Sequence, residues 1–306
     1  MPNLTLNGKN VQVDQKTAQR ISNLVQKPDL NKILDEYWTA EKLGKHKELK
    51  KDHGDILLKT LLVDPEEFKK DLFGNHLKLG NFSSQISKIL SATKLNGDLR
   101  PEYLSMCLGV TTERPAIGKG EFLFAASFNN IGFASDSGDL IDVDTKQKIE
   151  VKGISAVLGN GQNRMFKQMS ETLMRSVSKR LELEGIHRWQ LDEDNAMKIK
   201  EKIGLDRNKA VQTLSMLQNV FQENEAVARQ AADVYFKEGQ LIRTVAAMHL
   251  LLYMHREKSD YLLIINDDRF TMVKRPSDMI EAYEIIQKLT IKPWREGEYG
   301  IKVTLR

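Results

Sequence analysis

Three charged residues on two neighbouring segments have the types and spacing for phosphate chemistry. Asp139 follows a glycine, and Glu150 and Lys152 form a Glu-x-Lys pattern eleven and thirteen residues later. Both segments are rich in β-branched and aliphatic residues, and the polar turn 144–147 separates them. Such a pattern predicts a β-hairpin.

The expected register brings the three charges together. With the turn centred on Thr145 and Lys146, Asp139 lies opposite Lys152, and Ile141 lies opposite Glu150. Opposed residues share a face of a sheet, and so do alternate residues of one strand. The charges therefore converge on one face, and the other face of the hairpin, with Leu140, Ile149 and Val151, points into a core.

Two carboxylates beside an ammonium are a poor choice for packing, because each charge loses its hydration there. A divalent cation would compensate both carboxylates. Hard oxygen ligands suit Mg²⁺, with Mn²⁺ as a substitute, and substrate phosphate oxygens usually complete its coordination. Lys152 could then orient or activate the attacking water and offset charge on the phosphate.

Asp followed by Glu-x-Lys on adjacent strands resembles the active site of the PD-(D/E)XK superfamily, the restriction-endonuclease-like nucleases, most closely over residues 118–168. Upstream, the segment 118–125 is similar to the first core helix of the family. The resemblance implies Lys152 as the catalytic lysine. It implies four metal-binding positions: Glu121, Asp139, Glu150 and the carbonyl of Val151.

Two positions depart from the family pattern. Gly138 stands where a proline often precedes the motif aspartate, and this change removes no ligand. One branch of the family has a Gln-x-x-x-Tyr helix after the lysine, which Gln162 to Phe166 approximates with Phe in place of Tyr. A surface hairpin, or a family member that lost its activity, is the competing interpretation of the whole motif.

A helix expected from about Asn163 to Leu183 adds basic residues after the motif. Its apolar stripe leaves the basic side chains largely on other faces. These side chains, with a neighbouring glutamine, are the candidate nucleic-acid contacts: Gln162, Arg164, Lys167, Arg175 and Lys179. A solvated helix face explains the same pattern.

The pattern of elements predicts an α/β (α+β) fold, with a PD-(D/E)XK-type mixed central sheet flanked by helices. We expect a mainly helical N-terminal domain (1–110), a nuclease core with the active-site hairpin (111–186), a helical insertion (187–256) and a segment that completes the core sheet (257–306). The apolar run Tyr261–Ile265 is suited to a strand buried on both faces, the fourth of the core.

Other polar clusters carry weaker indications. The lysine-rich run from Lys42 to Lys51 is consistent with DNA binding or with a solvated linker or helix face. His46, His53 and His76 lack metal-ligand spacing and are expected at the surface, whereas core packing and a helix end explain His249 and His255.

Composition limits the class of protein. The 306 residues are 41% hydrophobic and 29% charged, with a net charge of +4 and one cysteine. No apolar run approaches the roughly 18 residues of a membrane span, and the polar amino terminus lacks a signal-peptide pattern. We expect an intracellular protein without a membrane partner, in the cytoplasm, or in the host cytoplasm or the virion if a phage encodes it.

The leading hypothesis is a Mg²⁺-dependent DNA endonuclease, with a homo-oligomer or a larger protein assembly as a possible setting. One alternative is a nucleic-acid-binding or assembly protein of a phage particle or recombination complex that keeps the nuclease fold as a scaffold. Another is an exonuclease or junction-specific nuclease with the same site.

Overall fold

The computed structural model describes residues 3–6, 9–12, 14–16, 18–19, 29–59, 69, 73–89, 100–110, 117–118, 120–135, 138–153, 157–158, 175–186, 191–218, 224–266, 269–292 and 301–305. The chain divides into two units. The first consists of Met1–Val151 and Ser259–Met272, and the second of Lys152–Lys258 and Val273–Arg306. The four-part division expected from the sequence stays a prediction. In the described ranges, no helix is long and apolar enough to cross a bilayer.

Helices and strands are numbered along the chain. The helices of the first unit are α1 (Asp29–Tyr37), α2 (Ala40–Leu43), α3 (Leu49–Lys59), α4 (Ile86–Ile89), α5 (Arg100–Gly109) and α6 (Glu121–Ser127). Its strands are β1 (Asn3–Leu6), β2 (Lys9–Gln12), β3 (Phe82–Gln85), β4 (Ile131–Phe133), β5 (Leu140–Asp142), β6 (Lys148–Gly153), β8 (Tyr261–Asn266) and β9 (Arg269–Lys274). The last two residues of β6 and of β9 belong to the second unit.

A mixed six-stranded sheet, built mostly of residues of the first unit, has the strand order β3-β9-β8-β6-β5-β4, and helices flank it. β4 pairs with β5, and β5 with β6, in antiparallel fashion. β8 lies beside β6, and residues Tyr261–Ile265 are all buried, which confirms the predicted buried strand. β1 and β2 form a separate two-stranded antiparallel sheet.

The N-terminal region, which was predicted to be mainly helical, also contains the strand β3. This strand pairs antiparallel with β9 at the edge of the sheet, with Phe82 opposite Met272. Its four residues alternate between half-buried and exposed positions. The sequence Phe-Ser-Ser-Gln is too short and too polar to predict a strand. The strand forms because these residues pair with β9.

His46 and His53 lie in the interior, so their expected surface position is wrong. His53 is fully buried, Trp38 Nε1 donates to its Nδ1 at 2.9 Å, and its Nε2 lies 3.2 Å from the Tyr103 hydroxyl. The His46 ring packs against Phe133, with 5.1 Å between ring centroids. The partners are remote in sequence, so spacing among the histidines gave no sign of burial. His76 is about half exposed, as expected.

Lys42 fits neither interpretation of the lysine-rich run. It is 2% exposed, its Nζ donates to the Ile131 carbonyl at 2.6 Å and to the Phe128 carbonyl, and it lies 4.1 Å from the Tyr37 ring centroid. Burial lowers the pKa of Lys42 well below its ordinary value. Through its hydrogen bonds, the buried Nζ ties α2 to the end of α6 and the start of β4.

The second unit is mainly helical. After helical residues 175–181 come α7 (Glu193–Ile203), α8 (Arg207–Leu217), α9 (Glu225–Glu238), α10 (Leu241–Arg256) and α11 (Met279–Gln287). Its strands β7 (Val157–Leu158), β10 (Leu289–Lys292) and β11 (Ile301–Leu305) form a sheet in the order β10-β11-β7.

Helix α10 is the core of this unit, because it is apolar almost all round and buried from Thr244 to Met254. It packs against α9 and α11. His249 on α10 is 2% exposed, and its Nδ1 lies 2.9 Å from Gln218 Oε1. This packing confirms the expected core role of His249.

Candidate functional site

The hairpin turn decides the register of the two site strands. Asp142 starts the turn: its Oδ1 accepts from the amides of Asp144 and Thr145 at 2.9 and 3.2 Å. The Asp142 amide donates to the Gln147 carbonyl at 2.9 Å, so the turn spans residues 143–146. Lys146 completes it with a left-handed φ of 61°.

This turn begins one residue earlier than expected, which corrects the predicted register by two positions. Leu140 pairs with Ile149 and Ile141 with Lys148, whereas Ile141 was expected opposite Glu150. A shift of two keeps every side chain on its own face. It moves Asp139 away from the position opposite Lys152 and places it beside Glu150.

Asp139 is anchored to both neighbouring strands. Its amide donates to the Ile149 carbonyl at 3.1 Å, and its carbonyl accepts from the Ala134 amide at 3.2 Å. Its carboxylate Oδ2 accepts from the Val151 amide at 2.7 Å. That amide belongs to the peptide bond between Glu150 and Val151, so the aspartate carboxylate lies against the backbone of the Glu-x-Lys strand.

Gly138 gives the chain the turn that this anchoring needs. Its φ is +80°, a left-handed value, and a Cβ added there would lie 3.4 Å from the Ile149 carbonyl oxygen. A proline, whose φ is fixed near −65°, could not adopt this conformation. The glycine that departs from the family pattern is thus required by the backbone path of this chain.

Glu150 and Lys152 occupy the central strand β6. Glu150 is 7% exposed, Val151 is 6% exposed, and Lys152 is half-buried. Two residues of separation along a strand put Glu150 and Lys152 on the same face. The structure therefore brings Asp139, Glu150 and the Val151 amide together, with Lys152 next on the strand.

Glu121 has a structural contact of its own. It is the first residue of α6 and 8% exposed, and its Oε1 accepts from the Gly118 amide at 2.7 Å. In the described part of the chain, which includes Glu121, Asp139 and Glu150, no three His, Cys, Asp or Glu side chains are grouped to hold a metal ion. The Asp139 carboxylate thus contacts the backbone that follows Glu150, whereas the Glu121 carboxylate contacts the Gly118 amide.

Two aspartates support the site without having been predicted. Asp142 Oδ2 accepts from Asn130 Nδ2 at 3.0 Å, which joins the turn to the residue before β4. Asp260 Oδ2 accepts from the Lys148 amide at 3.0 Å, and its own amide donates to the Lys148 carbonyl at 2.8 Å, so the start of β8 is aligned with the start of β6. An aspartate before a polar turn was a usable signal for Asp142, whereas the role of Asp260 depends on tertiary pairing.

The structure describes two of the five residues that were predicted to contact nucleic acid. Arg175 and Lys179 are exposed on helical residues 175–181, and Val177 and Leu181 of the predicted apolar stripe are buried. Gln162, Arg164 and Lys167 lie outside the described residues.

The arrangement offers the carboxylates of Asp139 and Glu150 at neighbouring strands, with Lys152 two residues further along the strand of Glu150. It has the chemistry to bind a hard cation and to contact a phosphate. Comparison of the chain with protein-family models, curated proteins and solved structures finds no significant match.

Proposed function

We propose that the chain is a metal-dependent deoxyribonuclease of the PD-(D/E)XK type that hydrolyses phosphodiester bonds in DNA. One observation carries the proposal: the Asp139 carboxylate is hydrogen-bonded at 2.7 Å to the amide that follows Glu150. Both acids of the motif therefore lie at adjoining positions of neighbouring strands. Lys152 follows two residues later on the same strand.

The order of elements supports the same proposal. Helix α6 leads into β4, β5 and β6, helical residues 175–181 come later, and β8 then lies beside β6. The PD-(D/E)XK core has a helix, three strands, a helix and a fourth strand. Under this proposal, α7–α10 form an insertion between the last two of those elements.

The donor set fits a magnesium ion. Mg²⁺ is commonly bound by one or two carboxylates and keeps several waters. Asp139, Glu150 and the Val151 carbonyl would hold it, and Mn²⁺ would substitute. The resemblance adds Glu121 as a further ligand, and this carboxylate would have to give up its hydrogen bond with the Gly118 amide. Bound there, the cation would act as a Lewis acid toward the scissile phosphate.

The side chains of the chain itself have separate tasks. The Val151 amide orients the Asp139 carboxylate, because it holds one of its oxygens at the strand edge. The Lys152 ammonium would hold the attacking water and offset the negative charge that builds on the phosphate. Glu150 is nearly excluded from solvent, and a low-dielectric position strengthens its attraction for a cation.

The test is cleavage of supercoiled plasmid, linear duplex and single-stranded DNA with Mg²⁺, Mn²⁺ or EDTA. Glu150→Gln and Lys152→Met are expected to lower the rate by about 100-fold or more, the usual effect of removing one group that stabilises developing charge. Glu201→Gln and Lys202→Met, at exposed positions of α7, make the same chemical changes elsewhere and should leave the rate unchanged.

Cleavage that persists in EDTA or in Glu150→Gln would overturn the proposal. The preferred substrate separates an endonuclease from an exonuclease or junction nuclease. DNA binding without cleavage of any substrate would favour the alternative of an assembly protein that keeps the fold as a scaffold.

A further inference from the structure

The segment 45–51, here called the basic segment, contains Lys45, Lys47, Lys50 and Lys51 against the single acid Glu48. It connects α2 to the first turn of α3. Its sequence alone is consistent with DNA binding or with a solvated linker or helix face. Its place in the fold gives it a more specific interpretation.

Helix α2 and the residues after it follow β4 from its start to its end. At the start, Lys42 Nζ donates to the Ile131 carbonyl. A Cβ added to Gly132 would lie 2.7 Å from Lys42 Cα, and one added to Gly44 would lie 2.9 Å from the Phe133 carbonyl oxygen. These two glycines allow backbone to approach backbone, so the path of residues 42–44 along β4 is fixed.

The basic segment begins at the end of β4 that adjoins Asp139. His46 packs on Phe133, the last residue of β4, at 5.1 Å between ring centroids. The next residue, Ala134, donates its amide to the Asp139 carbonyl at 3.2 Å. Lys45 and Lys47 flank His46 in the chain and therefore lie at the same end of the strands as the candidate carboxylates.

Two of the four lysines are available for a partner. Lys45 and Lys47 are exposed and make no ion pair within the described residues. Lys50 pairs with Asp35, and Lys51 interacts with Asp52. An exposed ammonium beside a phosphodiester-cleaving site is suited to a DNA phosphate, because it neutralises one charge and releases a counterion.

We propose that Lys45 and Lys47 bind backbone phosphates of the DNA next to the phosphate held at Asp139 and Glu150. The inference rests on the proposed nuclease function, whose DNA substrate it adopts. The two lysines position the duplex and carry no sequence information, since contacts to phosphates are the same for every base sequence.

The experiment measures the salt dependence of binding to a fluorescent 30-base-pair duplex in EDTA, where no metal-dependent cleavage occurs. The logarithm of the binding constant falls with the logarithm of the salt concentration, and each lost phosphate contact decreases the steepness of this fall by about 0.9. We expect a decrease of about 0.9 in Lys45→Ala and in Lys47→Ala, and of about twice that in the double variant. The decrease should be the same for duplexes of unrelated sequence.

Lys78→Ala is the matched control. Lys78 is an exposed lysine of the same unit, and it follows Leu77, whose amide donates to Asn130 Oδ1 before the start of β4. It therefore lies at the opposite end of that strand, and its removal should leave the slope unchanged.

Equal slopes in the double variant, Lys78→Ala and the wild type would overturn the inference, even if the wild type cuts DNA. A decreased slope in the double variant, with no cleavage by the wild type in Mg²⁺, would uphold the phosphate contacts and reject the nuclease proposal. Unfolding in denaturant verifies that all variants keep the wild-type stability.

Discussion

The buried His53 makes the stability of the first unit sensitive to mild acid. Trp38 can only donate through its indole nitrogen, so Nδ1 of His53 must accept and the neutral ring carries its proton on Nε2. A second proton would have to occupy Nδ1 and would break the bond to Trp38. Burial, with the nearby Lys42 ammonium as a smaller cause, lowers the pKa of His53 to about 3 from an ordinary value of 6.5.

The sign of the effect follows from these two pKa values. Below pH 6.5 the unfolded chain takes up a proton at His53, and the folded chain does not. The stability that the neutral His53 contributes is therefore fully present above pH 6.5, and it is lost as the pH falls from 6.5 towards 3. Each pH unit costs about 1.4 kcal/mol, so His53 alone removes about 2 kcal/mol between pH 7 and pH 5.

The assay is denaturant unfolding at pH 7, 6 and 5, followed by Trp38 fluorescence. Trp189 and Trp294 are replaced by Phe in every protein, so that the signal comes from the tryptophan beside His53. In His53→Gln an amide oxygen can accept from Trp38, and no group titrates there. The loss of stability between pH 7 and pH 5 should then be smaller by about 2 kcal/mol than in the parent.

His76→Gln is the control, because it makes the same change at a histidine that is about half exposed. Equal losses of free energy between pH 7 and pH 5 in His53→Gln and in the parent would contradict this role of His53. A parent whose stability does not decrease over that interval would contradict it too.

Two further changes test how α2 is held on β4. Gly44→Ala should lower the free energy of unfolding by more than Gly204→Ala. Both glycines cap helices with φ near 55°, a conformation that costs a residue with a side chain about 1–2 kcal/mol. Only at Gly44 would the added Cβ also lie 2.9 Å from the Phe133 carbonyl oxygen. Equal losses in denaturant unfolding would contradict this contact. Lys42→Met should cost about 1–3 kcal/mol, because two backbone carbonyls lose their buried donor, whereas Lys78→Met at an exposed position should be neutral; a Lys42→Met protein with unchanged unfolding would show that the donor is dispensable.

The local sequence determined much of the central sheet. Alternation of apolar and polar residues placed Leu140 and Ile149 on the core face, and the structure pairs them. The wholly apolar run Tyr261–Ile265 indicated a strand buried on both faces. Both results depend on periodicity within a few residues, and the fold does not alter that periodicity.

The tertiary structure decided which residues meet. The register moved by two because Asp142 closed the turn with its own carboxylate, and this moved Asp139 to Glu150 without changing any face. Burial of His53 and Lys42 required partners up to 89 positions away in the chain. Periodicity gives the direction of a side chain relative to its own strand or helix, but the polar partners that make a buried charge or imidazole tolerable are brought by packing alone.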